Sequence, residues 1–372
     1  MKKGLFTILL FLPALLLAQA DSLKGDIKSI REKLIFLDST KQNMKLFSSE
    51  GDYGHYGFSS PEFTFSRFNS WWFNTPWVHY LNYFRNYDKS KNLLEEIWYY
   101  KNDEVLEKIT YDYDEQNNLV QEKTEFDDTT FFVKSSYYND LGLHLSSISY
   151  SSFKPLRYEY ESYSYDENKR VIEIKRFDEY GESYGSKFNY TSSGKIKEKI
   201  SHSPFIWVKL DKKTTGQRRD KNGTDQIQEK RIYDSAGNLL KVENYIDDFY
   251  DRNKAVLNRS TSYRYDYKNR KVGEYYAMSS DTIDAFREYQ YNENNLLKKE
   301  KFIQAKNNTL LIEIEYFYNQ NNNIEKVIYT GEGKTSSITF SYKFDKRLNW
   351  IEQLKSVDGK PLYLRKRELK YY

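Results

Sequence analysis

The sequence predicts an all-β protein, an antiparallel up-and-down array of about ten hairpin repeats in one large curled or coiled sheet. A short N-terminal helix and an aromatic cap are expected to precede the array. Two observations carry this prediction. A turn-like unit recurs at nearly constant spacing, and the 372 residues include 36 tyrosines but only 16 glycines. Tyrosine-rich chains with short alternating runs favour strands over helices.

The first segment, residues 1–20, has the features of a secretory signal peptide. Two lysines precede an apolar stretch at positions 5–17, and Ala18 and Ala20 flank Gln19. This order of charged, apolar and small residues predicts export and cleavage after Ala20. The chain has no cysteine, so neither a lipoprotein signal nor a disulfide framework is expected. The predicted location is therefore periplasmic or secreted.

The second segment, residues 21–79, is predicted to contain one helix followed by the aromatic cap. Leu23, Ile27, Ile30, Leu34 and Leu37 recur at helical spacing. Such spacing places them on one face of an amphipathic helix. A helix over residues 22–37 is therefore expected.

The aromatic cap has two interpretations that can hold together. Residues 63–87 contain eleven aromatic side chains. The segment could cover the first edge strand, since repeat arrays need atypical ends. It could also form a platform for a sugar or peptide, because flat rings stack on sugar faces. The candidate ligand-binding residues are Trp71, Trp72 and Trp77.

The third segment, residues 80–372, is predicted to be the repeat domain. The unit is marked by an aromatic anchor just before a turn. Seven of the nine spacings between anchors lie within one residue of 26, and the other two, 43 and 32, indicate insertions. The ten anchors are Tyr87, Tyr113, Tyr138, Tyr165, Tyr190, Tyr233, Tyr265, Tyr291, Tyr318 and Phe344.

Each position of the unit has a physical reason. The residue after the anchor is Asp or Asn in nine copies, and such side chains bond to the backbone of a turn. The fourth residue is Gly or Asn in seven copies, and these residues tolerate a left-handed backbone. The sixth is apolar in eight copies, which indicates a returning strand.

The repeat length fixes the strand direction. About 26 residues hold two strands and two short turns, with no room for a crossover helix, so the sheet must be antiparallel. Ten hairpins make about twenty strands, and a flat layer would be about 95 Å wide. A sheet of this size is expected to curl, coil or close on itself.

The unit resembles the Rhs/YD-repeat family. Its signature, Y-D-x-x-G-N/R-L, is matched by Tyr233, Asp234, Gly237, Asn238 and Leu239. In large members of that family the hairpins coil into a hollow shell that can enclose a toxin domain. The resemblance implies the same strand architecture over residues 80–372 in a short, exported, toxin-less protein. It also points to carbohydrate binding.

Charge and motifs argue against several functions. The formal net charge of +4 lacks the clustered excess expected of a nucleic-acid-binding protein. A basic insertion at residues 209–226 is interpreted as a solvated loop, with a docking site for an anionic surface as the alternative. No catalytic constellation, metal-ligand spacing or nucleotide-binding loop is evident, so no catalytic residue, metal site or cofactor is predicted.

The sequence thus favours a non-enzymatic binding or structural module of the cell envelope. Its expected partners are a glycan or an envelope protein, with no nucleic acid and no integral membrane span. A glycan-active enzyme is one alternative, because the acidic residues could include a carboxylate pair. An outer-membrane β-barrel is another. LLKKEKF at 296–302 and LVQEKTEF at 119–126 place charges on both strand faces, which argues against a lipid-facing band.

Overall fold

The computed structural model describes residues 23–37, 68–71, 81–100, 103–152, 157–209, 215–248, 254–279 and 282–372. The predicted signal peptide lies outside these ranges. The described chain is all-β, which confirms the predicted class. Apart from a helical turn at 68–71 and a 3₁₀ turn at Ala305–Asn307, its regular elements are strands.

The strands follow one another in chain order. They are β1 (Ile27–Phe36), β2 (Asn82–Tyr87), β3 (Leu93–Tyr99), β4 (Val105–Tyr113), β5 (Leu119–Glu125), β6 (Phe131–Tyr138), β7 (His144–Ser151), β8 (Arg157–Tyr165), β9 (Val171–Asp178), β10 (Gly181–Glu182), β11 (Gly185–Tyr190), β12 (Ile196–Lys209), β13 (Thr215–Tyr233), β14 (Leu239–Asp247), β15 (Ala255–Tyr265), β16 (Lys271–Met278), β17 (Ala285–Tyr291), β18 (Leu297–Gln304), β19 (Thr309–Tyr318), β20 (Ile324–Gly331), β21 (Lys334–Phe344), β22 (Trp350–Val357) and β23 (Lys360–Tyr371).

All the described strands belong to one antiparallel sheet, and the sheet closes. Successive strands pair along the chain, except that β9 pairs with β11 while the two-residue β10 pairs with β9 alone. β1 pairs with β2 on one side and with β23 on the other. The result is a barrel of 22 strands, with the β1–β23 contact as its seam.

The predicted N-terminal helix is wrong. Residues 27–36 form β1, and their burial alternates with a period of two from Ile30 to Phe36. Ile30 and Leu34 are four residues apart, a spacing that fits one helix face and one strand face equally well. Pairing with β23 over most of its length decides for the strand.

Closure corrects two further expectations. The sheet is not an open curled or coiled array, because the pairing of β1 with β23 joins its first strand to its last. The expected absence of an integral membrane span is overturned as well, since the described strands close into a barrel and the closed barrel is the one β architecture that crosses bilayers. Among the described residues, no helix is long and apolar enough to span a membrane.

The predicted turn chemistry is present in all ten copies. The N–H of the residue after each anchor donates to the carbonyl four residues further on. The fourth residue after the anchor has a φ between 58° and 83°, even where it is Lys91, Lys169 or Leu348. Each anchor then pairs with the sixth residue after it across a register shift, as in Tyr233 with Leu239. A tight turn followed by a bulge is therefore the repeated connection.

The anchor tyrosines join each hairpin to the one before it. In eight copies the anchor hydroxyl donates to the backbone carbonyl six residues after the previous anchor, over 2.6–3.0 Å. The last anchor, Phe344, has no hydroxyl, and Tyr342 donates to Ile324 instead, at 2.8 Å. At the seam, Tyr372 donates to Tyr87. The tyrosine content of the chain thus reflects a hydrogen bond repeated around the barrel.

Asp234→Ala should lower the melting temperature by about 1–3 °C, because the turn loses a side-chain acceptor. Asp234 Oδ1 accepts from the Asn238 N–H at 2.7 Å, and Oδ2 accepts from the Asn238 side chain at 2.9 Å. The neighbouring Ser235→Ala is the control, since Ser235 is exposed. Equal melting of the two variants would mean that the aspartate does not stabilise the turn.

The same variant should show a defined pH dependence. Hydrogen bonds from the Asn238 side chain and from turn N–H groups hold the pKa of Asp234 below its ordinary value. A carboxyl whose folded pKa is lowered stabilises the protein above its unfolded pKa of about 3.9 and loses that contribution as the pH falls through the folded pKa. The difference in melting temperature between wild type and Asp234→Ala should therefore narrow below about pH 4.

Candidate functional site in the barrel interior

The buried side chains identify the inner face of the barrel. Following the strand register, the fully buried Leu34, Tyr363, Ile338 and Glu274 fall on one face of the sheet. The 68–71 turn packs against this same face, through Phe68 on Tyr363. The face that holds these residues is therefore the concave interior.

The interior is most tightly organised at the seam. Glu32 of β1 is 0% exposed and meets two arginines of β23, Arg365 at 1% and Arg367 at 5% side-chain exposure. Its Oε1 accepts from Arg365 Nε at 3.0 Å and also from Arg365 Nη2, and its Oε2 accepts from Arg367 Nε at 3.0 Å and Nη2 at 2.9 Å. The Tyr83 hydroxyl donates to Oε2 at 3.2 Å. One carboxylate thus joins the first two strands to the last.

The inner wall of β22 holds the 68–71 turn. Lys355 Nζ donates to the backbone carbonyls of Phe68 at 2.7 Å and Ser70 at 3.0 Å. Gln353 Nε2 donates to Asn69 Oδ1 at 2.6 Å. Three successive residues of the turn are therefore bound by two side chains of one strand.

Of the three predicted tryptophans, the described ranges include Trp71. Its ring stacks on Tyr329 of β20, with 4.5 Å between the ring centroids and 12° between the planes. Trp71 therefore lies on the inner wall, next to the bound turn. Trp72 and Trp77 fall outside the described residues.

Away from the seam, the inner wall carries ion pairs supported by tyrosines. Glu161 accepts from Arg176 at 2.7 Å and from Tyr163 at 2.8 Å. On β16, Glu274 accepts from Lys271 and Tyr289, both at 2.8 Å. Similar inner pairs are Arg85–Glu96 and Arg287–Glu300. Away from the seam the inner wall thus carries paired charges and phenols, whereas the wall around the 68–71 turn is largely apolar.

The outer face is mixed in character. On β7 and β8, Ile148, Tyr150, Tyr158 and Tyr160 are 36–51% exposed and lie on cross-strand positions of the outer face. On β18 and β19 the outer face is charged. There Lys299 contacts Glu313 at 3.2 Å and Glu315 at 2.6 Å.

The sequence did not identify Glu32, Arg365, Arg367 and Lys355 as important residues. Their signal is present but weak: charged residues recur at alternate positions of strands whose other inner-facing members are apolar. This charge pattern can be interpreted only when β1 and β23 are known to be neighbours. The sequence pattern within either strand does not show that they pair.

Comparisons with known proteins leave the family open. No family model matches the chain, and no curated protein matches it. Among solved structures, a chain of the TcdB2-TccC3-Cdc42 crystal structure is 12% identical with a TM-score of 0.29. The match covers 76% of this chain and 19% of that one. A porin-like protein from Bacteroides uniformis is 11% identical with a TM-score of 0.25, over 71% of this chain and 96% of that one. A porin-like protein from Bacteroides vulgatus is 13% identical with a TM-score of 0.21, over 68% and 98%. At these TM-scores the likenesses carry no inference about this chain.

Proposed function

We propose that the protein is an exported β-barrel of the cell envelope whose polar interior takes hydrophilic molecules, without catalysis. The observation that carries the proposal is the pairing of β1 with β23, which encloses the polar wall. Barrels of 16 or more strands leave an internal space, and those of about 22 strands are known with a plugged interior. The 68–71 turn, bound to Lys355 and Gln353, lies within this space.

Glycan binding and kinship with the Rhs/YD-repeat family remain part of the proposal. Sugars are hydrophilic on their edges and stack on aromatic faces. The inner wall offers both kinds of contact, with Trp71 on Tyr329 near the ion pairs of the seam. The ring of Asp and Tyr hydrogen bonds supports the kinship, because it explains why the Y-D signature recurs in each hairpin.

Insertion in the outer membrane is the placement that the topology favours. The ten tight turns lie at one barrel end, and both described termini lie there too, since the Tyr372 N–H donates to the Asp26 carbonyl at 3.1 Å. Outer-membrane barrels have short turns at one end and longer connections at the other. The physical cost is on the outer face of β18 and β19, because a lysine facing the bilayer centre costs about 2–4 kcal/mol.

Cysteine labelling tests both enclosure and placement, since the chain has no cysteine of its own. On β7, Ser149 lies on the inner face with Ser147, and Ser146 lies on the outer face with Ile148. Ser149→Cys and Ser146→Cys would be labelled in whole envelopes with a small charged maleimide and with a bulky polymer-linked maleimide. Lys299→Cys gives a second outer position, on the charged wall.

An enclosed interior predicts that Ser149→Cys reacts with the small reagent and is protected from the bulky one. Equal reaction of inner and outer positions with the bulky reagent would contradict enclosure. Insertion in a bilayer predicts that Ser146→Cys and Lys299→Cys are protected from both water-soluble reagents. Rapid labelling of both outer positions would place that wall in water.

A further inference from the structure

One hairpin is longer than the barrel wall. β12 and β13 pair from Glu198 with Lys230 as far as Lys209 with Thr215. The strands on either side do not follow them over this length. β11 pairs with β12 only as far as His202, and β14 pairs with β13 only from Glu229 onwards. Residues 203–209 and 215–224 therefore have only each other as ladder partners, and we call them the arm. Seven residues at about 3.3 Å each extend about 23 Å.

The arm leaves the wall at a fixed point. Ser203 pairs with Thr224, and the next pair is Phe205 with Arg219. Between these pairs, Pro204 on β12 lies opposite four residues of β13, 220–223. Gly223 lies in this irregularity with a φ of 63°, and a Cβ there would stand 2.5 Å from the Ser203 carbonyl oxygen. Such a bulge bends a ribbon away from its sheet.

The base of the arm is tied to the wall. Asp225 contacts His202 Nδ1 at 2.6 Å and Lys187 Nζ at 2.7 Å, which joins β11, β12 and β13. The arm is thus a projection of defined origin at the barrel end opposite the tight turns. The predicted solvated loop at 209–226 is wrong over residues 215–226, which are strand.

The two strands of the arm differ in chemistry. β12 contributes the consecutive apolar residues 205–208, with sequence FIWV, and β13 contributes Arg218, Arg219 and Lys221. With Lys209 and Asp220, the described part of the arm has four cations and one anion. Its net charge of +3 is concentrated in a chain whose total is only +4.

A ribbon of two strands has no second layer, so consecutive apolar residues fall on both of its faces. In the register, Phe205 is opposite Arg219 and Ile206 is opposite Arg218. The ring of Phe205 lies 6.4 Å from the ring of Tyr184, measured between centroids. The arm therefore combines an apolar strand and a cationic strand at the same height above the barrel.

We propose that the arm binds the headgroup region of a bilayer that contains anionic lipid. Apolar and aromatic residues enter the boundary between headgroups and acyl chains, while arginine and lysine bind the anionic headgroups. A soluble polyanion would engage the cations alone and make no use of the apolar strand, so a lipid surface fits both strands better. The inference does not depend on whether the barrel itself spans a membrane.

Vesicle binding by the mature protein tests the inference. The vesicles are phosphatidylcholine with or without phosphatidylglycerol, and binding is measured by co-sedimentation. The triple variant Arg218→Gln, Arg219→Gln, Lys221→Gln should bind the mixed vesicles about 100-fold more weakly, at about fivefold for each cation. The control Lys268→Gln, Lys298→Gln, Lys346→Gln removes the same charge from exposed positions near the tight turns and should bind as the wild type does.

A second measurement locates the contact. A polarity-sensitive dye on Val208→Cys should shift to shorter wavelength with mixed vesicles, and Phe205→Ser should reduce the shift. Equal binding by both triple variants, or no dye shift on bound protein, would overturn the inference. Binding to a soluble polyanion such as heparin without vesicle binding would overturn the assignment to lipid. Labelling of Ser149→Cys should be unchanged in every arm variant, which separates this test from that of the enclosed interior.

Discussion

Glu32→Ala should lower the free energy of unfolding by about 3–5 kcal/mol, because it leaves two arginines buried without their carboxylate. Arg365 and Arg367 are 1% and 5% exposed in their side chains, so water cannot replace the lost partner. The loss would fall at the seam, where β1 and β23 meet. Denaturant unfolding of the purified protein gives the measurement.

The matched control is an ion pair on the outer face. Lys343 and Glu352 have 71% and 29% exposed side chains, so Glu352→Ala should destabilise the protein far less than Glu32→Ala does. Arg31 and Glu368 are direct partners across the seam, and cysteines at both positions should cross-link under oxidation. Equal unfolding of the two alanine variants together with no cross-link would mean that the barrel is not closed there.

Phe68→Ala should cost about 3–5 kcal/mol, the loss typical of a fully buried aromatic side chain. Phe68 is 0% exposed and packs on Phe340 and Tyr363, at centroid distances of 6.1 and 6.4 Å. Lys355 would keep its backbone acceptors only if the turn stayed in place. Thermal and denaturant unfolding measure the effect.

Phe317→Ala provides the comparison for Phe68. Phe317 lies on β19 and is 44% exposed, so its removal should change stability by no more than about 0.5 kcal/mol. If the two phenylalanine variants unfold alike, the 68–71 turn does not pack on the inner wall. A large loss for Phe68→Ala alone supports a barrel whose N-terminal segment is part of its core.

The repeat and its turns could be predicted because their causes are local. An anchor, an acceptor side chain and a residue tolerant of positive φ lie within five positions of one another, as in Tyr233 to Gly237. Turn geometry depends on these neighbours alone. The sequence therefore contained enough information to place ten hairpins and their strand direction.

The helix prediction failed for a reason that is also physical. Ile30 and Leu34 satisfy both the helical and the strand period, so a short segment cannot distinguish them. Glu32 distinguishes the two structures, since a strand places it on the same face as Ile30 and Leu34, whereas a helix does not. A charged residue on a buried face is improbable until its partners are known, and those partners lie at the other end of the chain.

The site could be predicted only in part. The sequence singled out the aromatic segment as a cap or ligand platform, and the structure places its Trp71 against Tyr329 on the inner wall. The two residues of β22 that bind the 68–71 turn, Lys355 and Gln353, were not identified, because lysine and glutamine in a strand usually face solvent. Their role depends on a contact between residues more than 280 positions apart.

The seam also determines when the protein can finish folding. Glu32 and Arg365 are separated by 333 residues, so the last strand must be synthesised before the first can complete its pairing. The entropic cost of this delay is small: closing a loop of that length costs only about 2 kcal/mol more than closing one 26-residue repeat. Its kinetic cost is larger, because contacts of such sequence separation form slowly. Until then two unpaired strand edges are open to other chains, so the unfinished barrel depends on protection that the closed barrel does not need.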